Sequence, residues 1–211
     1  MGLACPGREQ SMTQPVEFYF DFASPYGYFA SLEVDELVAA FGREVAWKPI
    51  MIGSAFKASG NLPLVSQPMK GEYSRHDWER VARLMGAPYR LPDPFPVPAL
   101  PPSRAYWWLE GRDKDLARSY ARAVYLAYFA ENMDISSPEV ACALGVPLGI
   151  DPDEMAAAIQ SPQWKGRLKE ETEAAIAKGV FGSPFFLVDG EGFWGADRLW
   201  MVGAWLEKGG W

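Results

Sequence analysis

The residue type best placed to do chemistry in this chain is the serine of Asp21-Phe22-Ala23-Ser24-Pro25-Tyr26. Serine is a favoured helix N-cap, and proline fits the first helical turn because its missing N–H has no partner there. Such a hydroxyl lies beside unpaired backbone N–H groups. That combination stabilises an anion, a thiolate included. The plainer reading is a cap and nothing more. The same device recurs at Ser137-Pro138, Asp151-Pro152 and Ser161-Pro162, so both readings stay open on local pattern alone.

The elements that must position Ser24 follow from the pattern around it. Val16 to Phe20 are apolar or aromatic except for Glu17, which predicts a buried strand. Apolar residues at Tyr28, Leu32, Leu37, Val38 and Phe41 carry the helix that follows. Residues 44–50 read as a second strand, so 16–50 is a β–α–β unit, which favours a parallel pair. Residues 53–71, rich in Gly, Ser, Asn and Pro, read as a long loop. Residues 72–86 read as a helix ending at Gly86. The six prolines between 91 and 102 exclude helix there and predict an extended connector. Helices are expected over 103–111, 113–131, 137–145, 151–160 and 163–178. The stripe Ala117, Tyr120, Ala121, Val124, Ala127 and Tyr128 reads as core. Residues 183–194 read as an antiparallel hairpin around Asp189-Gly190, and a last helix spans 197–208. The order is β–α–β, a helical block, then β–β–α, which describes two halves of one small sheet split by a helical insertion.

Composition narrows the classes. With 211 residues, 49% of them hydrophobic, the chain is long enough for one sizeable domain with an insertion. A net charge of −7 argues against nucleic acid, whose phosphates need a basic patch. No apolar run reaches the roughly 18 residues of a membrane span, and residues 1–11 lack the apolar core of a signal peptide. Met12-Thr13-Gln14-Pro15 looks like a natural start, so 1–11 reads as an added or disordered leader, and 1–14 as the stretch that precedes the folded domain. The two cysteines, Cys5 in that leader and Cys142 in an apolar helical stretch, offer no disulfide framework or metal site, and His76 is the only histidine. A reducing cytoplasm is the expected compartment.

Four segments carry a family resemblance. Asp21-Phe22-Ala23-Ser24-Pro25-Tyr26-Gly27-Tyr28 resembles the opening motif of 2-hydroxychromene-2-carboxylate isomerases and kappa-class glutathione transferases. Lys57-Ala58-Ser59-Gly60-Asn61-Leu62-Pro63 resembles their K-x-S/T-G-N-x-P loop. Residues 179–186 resemble their segment around a cis-proline, and Phe193-Trp194-Gly195-Ala196-Asp197-Arg198-Leu199 resembles the closing signature of the isomerases. The resemblance runs from about Val16 to Leu206 and keeps the order of the motifs. Two positions depart from the pattern near the expected pocket: Gly27, where the family usually has Ser or Ala, and Phe185, where many members have Thr.

The resemblance implies an α/β, thioredoxin-like fold with an inserted α-helical domain. The thioredoxin-like part would be 15–62 with 179–211, and the insertion 63–178. It also implies bound glutathione, because Ser24 stands where disulfide oxidoreductases carry cysteine. Ser24 would then donate to the glutathione sulfur. A cis Ser183-Pro184 bond would present the Ser183 backbone to the cysteinyl backbone. Asp197 would accept the α-amino group, with Ala196 lending backbone contacts; without the resemblance Asp197 is equally an N-cap. Lys57 and Asn61 would hold peptide and carboxylate groups. Lys48, in a W-K-P pattern, would meet the substrate carboxylate or else be a solvated strand lysine. Tyr89 and Trp194 would line the aromatic pocket or fill core. Asp77 and Arg80 read as a structural i, i+3 pair, and Arg104 as a further anion candidate.

The function implied is glutathione-dependent isomerisation of 2-hydroxychromene-2-carboxylate, a small aromatic acid, by a homodimer with no metal. The rivals are a kappa-like transferase and a non-catalytic glutathione-binding module.

Overall fold

The computed structural model describes residues 14–211. The stretch expected to precede the folded domain, apart from Gln14, lies outside them, as does Cys5.

One mixed sheet organises the chain. Its strands are β1 (Val16–Phe20), β2 (Val45–Pro49), β3 (Phe185–Val188) and β4 (Glu191–Trp194), in the order β2-β1-β3-β4. β1 and β2 run parallel, with Tyr19 opposite Lys48, while β1/β3 and β3/β4 are antiparallel. Strand alternation sorts the side chains. Phe18, Phe20, Trp47 and Phe186 join the large core on one face. Tyr19 and Phe185 join a smaller cluster with Ile50, Ala175 and Val180 on the other.

The crossover helix α1 (Pro25–Ala39) buries Tyr28, Phe29, Val34 and Val38. After β2 come α2 (Ile52–Ser59), α3 (Lys70–Met85), α4 (Leu100–Glu110), α5 (Lys114–Phe129), α6 (Pro138–Ala143), α7 (Pro152–Gln160) and α8 (Pro162–Ala177); α9 (Leu199–Lys208) follows the hairpin. The intervening helices are tied to the sheet by three buried polar bonds. Tyr106 Oη donates to the Trp47 carbonyl at 3.0 Å and Trp107 Nε1 to Pro49 at 3.1 Å. Tyr125 Oη donates to the Asp21 carbonyl at 3.2 Å. Four of the expected caps form: Ser24, Ser137, Asp151 and Ser161 each accept from backbone N–H groups in the first turn of the helix they open. Among the described residues, no helix is long and apolar enough to cross a membrane.

Two expectations are corrected. Residues 53–71 are not a loop throughout. They hold α2, a 3-10 turn at Leu64–Ser66 and the start of α3. Small and polar residues obscured a short helix that buries only Ala55 and is closed by Gly60 in the left-handed region, φ 72°. The connector stops at Ala99. Pro101 and Pro102 belong to α4, where the first turn needs no N–H donor.

Candidate functional site

Asp21, Ser24 and Ser183 form one hydrogen-bonded junction where β1 enters α1. Ser24 has extended backbone, φ −94° and ψ 113°, as an N-cap requires. Its Oγ accepts from Gly27 N at 3.1 Å and donates to the Ser183 carbonyl at 2.9 Å. Ser183 Oγ accepts from Asp21 N at 3.0 Å. The Ser183-Pro184 peptide bond is cis, and the Pro184 carbonyl accepts from Gly195 N at 3.0 Å, joining this turn to the loop before Ala196 and Asp197.

Asp21 received no role in the sequence reading, yet it anchors three segments. Its carboxylate accepts from Ala23 N at 2.8 Å and from Ile52 N, at the start of α2, at 3.0 Å. It is 7% exposed. Burial pushes its pKa up, against the opposing pull of the two N–H donors. The available signal was an acidic residue directly after an apolar strand.

Gly27 has a steric reason. A Cβ there would lie 2.7 Å from the Tyr125 hydroxyl and 3.1 Å from Ser183 Oγ. The first turn of α1 is packed too closely against α5 and the cis-proline turn for a side chain.

The junction forms part of the wall of a cavity of about 480 Å³. α2 contributes Ile52, Gly53, Ser54 and Phe56, and the following turn contributes Leu64 and Val65. α3 contributes Trp78. The connector contributes Phe95, Val97 and Ala99, leading to Leu100 and Ser103 of α4. Tyr26 also lines it. Its hydroxyl donates to Asp77 Oδ2 at 2.6 Å, and burial, then that carboxylate, hold the phenol well above the ordinary tyrosine range. The expected Asp77–Arg80 pair is present, with the bond from Tyr26 as its unforeseen third member. No lysine, arginine or histidine among the described residues lines the cavity.

The other expected site residues divide. Ser24 and Ser183 line the cavity. Asn61 lies between the lining residues Phe56 and Pro63, and its Oδ1 accepts from Leu62 N at 2.9 Å. Lys57 is exposed on α2, beside Phe56. Ala196 is partly buried. Asp197 is exposed and bonded to Arg198 at 2.6 Å, within range to raise the Tyr26 phenol. It is not an N-cap, since it sits inside the 3-10 turn Ala196–Arg198 that Gly195 opens at φ 112°.

Several placements are corrected. Lys48 does not line the cavity; it lies 3.6 Å from Glu17 and 3.4 Å from Glu171. Its position in β2 directs it there, alongside Tyr19. Tyr89 packs on Phe29 and Phe129, away from the cavity. Trp194 is half exposed and rests on Phe181, with ring centroids 4.9 Å apart. Phe185 does not line the cavity either and packs against Phe181 and Gly192. Arg104 reaches the Ile159 carbonyl at 3.5 Å rather than the cavity.

Comparison with known proteins decides the family. The model of the DSBA-like thioredoxin domain matches residues 15–206. The chain belongs to the DSBA-like thioredoxin family. This DSBA-like chain is 29% identical, over 92% of its length and 99% of the relative's, to a 2-hydroxychromene-2-carboxylate isomerase of Sphingobium xenophagum. It is 28% identical to glutathione S-transferase kappa 2 of Caenorhabditis elegans, over 92% of each chain. Its structure superposes on that of a 2-hydroxychromene-2-carboxylate isomerase with a TM-score of 0.84 at 26% identity, covering 92% of this chain and 95% of the other. The resemblance read from the four sequence segments is therefore shown, and with it the DSBA-like thioredoxin fold.

Proposed function

We propose that this protein is a glutathione-dependent isomerase of aryl-conjugated double bonds. The reference reaction is interconversion of 2-hydroxychromene-2-carboxylate and trans-o-hydroxybenzylidenepyruvate, a step in bacterial breakdown of aromatic hydrocarbons. The observation that carries it is the Ser24 hydroxyl, held between the Gly27 N–H and the Ser183 carbonyl on the wall of an apolar cavity. The names of the relatives support the same chemistry.

The residues present fit glutathione. Ser24 stands at a helix start with no cysteine beside it, so sulfur must come from a ligand. A free thiol has a pKa of roughly 8.5, leaving about 3% thiolate at pH 7. Lowering it by about two units, near 2.7 kcal/mol, makes most of it thiolate. The N-terminus of α1 and one hydroxyl donor are of the right order to supply this. The Ser24 proton now points to the Ser183 carbonyl. When glutathione binds, Ser24 turns this proton to the sulfur, and the vacated carbonyl accepts the cysteinyl N–H. Ser183 thus exchanges one donor for another, and no buried acceptor is left without a partner.

Once bound, glutathione supplies a nucleophile that adds reversibly to a conjugated carbon, allows rotation about the resulting single bond and is released unchanged. The chain's residues hold the thiolate, exclude water from the cavity and orient the aromatic ring against Trp78, Phe95 and Val97. Asn61, Ala196 and Asp197 stand on the segments beside the junction where the rest of glutathione would lie, with Lys57 at the exposed edge. A reducing cytoplasm, which keeps the thiol free, and a homodimer belong to the same proposal.

The kappa-transferase relatives support a second reading, in which glutathione is consumed. Thiol titration during turnover separates the two. Constant free thiol with a changing substrate spectrum is expected. Stoichiometric loss of thiol replaces the isomerase reading with the transferase.

A further inference from the structure

We propose that Asp21 takes up the proton that the glutathione thiol gives up, so that carboxyl and sulfur share one negative charge in the cavity wall; this rests on the function proposed above. Three observations lead to it.

The first is position. Asp21, Ser24 and Ser183 line the same cavity. The backbone of Asp21 is bound into the junction on both sides. Its N–H donates to Ser183 Oγ at 3.0 Å, and its carbonyl accepts from Ser24 N at 2.9 Å. A sulfur held by the Ser24 hydroxyl therefore shares this wall with the Asp21 carboxyl.

The second is charge. Asp21 is 7% exposed, and among the described residues no cation bears on it. α1 presents the Tyr26 phenol, whose proton is already given to Asp77. α5 presents the phenols of Tyr125 and Tyr128, both held un-ionised by burial. α2 brings up Ile52, and its single lysine, Lys57, is exposed. α8 reaches the adjoining Met51 through the uncharged Thr172. Two negative charges in one desolvated wall repel, so one of the two groups keeps a proton and they titrate as a pair.

The third is which group keeps it. The sulfur has the start of α1 and the Ser24 hydroxyl to stabilise its charge. Asp21 has two N–H donors, Ala23 at 2.8 Å and Ile52 at 3.0 Å, but burial outweighs them and raises its hold on a proton. A protonated carboxyl keeps lone pairs on both oxygens, so both bonds survive. The step balances within the pair. The S–H bond breaks with its electron pair left on sulfur, an O–H bond forms on Asp21, and no proton is lost to water.

Counting protons in the wild-type protein tests this. At about pH 8 the free thiol is still mostly protonated. The thiolate formed on binding glutathione is read from its ultraviolet absorbance. The protons released are read by calorimetric titration in buffers of different ionisation enthalpy. S-Methylglutathione has the same amine and carboxyl groups but no thiol, and supplies the baseline. For each thiolate formed, about one proton should stay on the protein, and the infrared difference spectrum should show a protonated carboxyl gained on binding. Asp21→Asn, which takes no proton, should release about one proton per thiolate, a change that a merely structural role for Asp21 does not produce. Release equal to thiolate in the wild type, no new carboxyl band, or an Asn variant that still retains the proton overturns the inference. Should the variant fail to fold, the two wild-type measurements decide alone. Thiolate formed with full proton release sinks only the role of Asp21. Bound glutathione that forms no thiolate sinks the glutathione reading as well.

Discussion

Ser24 and Ser183, 159 residues apart, are held by a 2.9 Å bond from the hydroxyl of one to the carbonyl of the other. The bond closes the helix start against the cis-proline turn, and it uses the proton a thiolate would need. This decides how Ser24 should be tested. Ser24→Ala removes the cap and should cost about 1 kcal/mol whatever else the residue does. Ser24→Asp keeps an acceptor for Gly27 N but sets a carboxylate against the Ser183 carbonyl. It should lose most turnover and move the thiolate absorbance of bound glutathione to higher pH. A folded Ser24→Asp protein with near-normal turnover would sink the catalytic assignment.

Glutathione should stabilise the fold. At a concentration 100 times its Kd it should add about 2.7 kcal/mol, read as a rise in melting temperature. A melting curve unmoved by millimolar glutathione would count against the whole functional reading.

Gly27→Ala should destabilise the protein by about 1–3 kcal/mol, because its Cβ would press on the Tyr125 hydroxyl and Ser183 Oγ. The same substitution in a Tyr125→Phe background should cost less, since the nearest obstructing atom is gone. Additive costs in the double-mutant cycle would show that the close approach has no energetic weight.

Asp21 sets a pH dependence with a definite sign. Burial raises its folded pKa, so between the unfolded and folded values the native state holds a proton that the unfolded chain has lost. Stability therefore falls as pH rises from about 4 through the raised value, and this contribution is constant above it. Asp21→Asn should remove that slope, measured as denaturant midpoints over pH. An unchanged slope in the variant would assign the effect to another group.

Lys48→Gln should leave turnover unchanged and cost about 1 kcal/mol or less, with the loss shrinking at high salt, because its partners are the half-buried carboxylates Glu17 and Glu171. A large rise in KM for an acidic substrate would return Lys48 to the binding site.

Much of this protein is legible residue by residue. The apolar run before Ser24-Pro25, the caps at 137, 151 and 161, the parallel β–α–β unit and the late hairpin are all written in near-neighbour preferences. Side-chain caps, proline geometry and apolar period act within one or two turns, so the sequence determined these elements and, through four ordered segments, the family. It did not determine which side chains meet. Lys48 and Tyr19 share a face because of the β1/β2 register, and that register is settled by burying Phe18, Phe20 and Trp47 on the other face. Asp21 gained its role only when β1 and α2 came within hydrogen-bonding distance. Gly27 became intelligible only with Tyr125, nearly a hundred residues later, pressed against it. That Lys48 and Arg80 are absent from the cavity wall likewise follows from where they found their carboxylates. Such pairings depend on the whole packed core at once, and only the tertiary structure decided them.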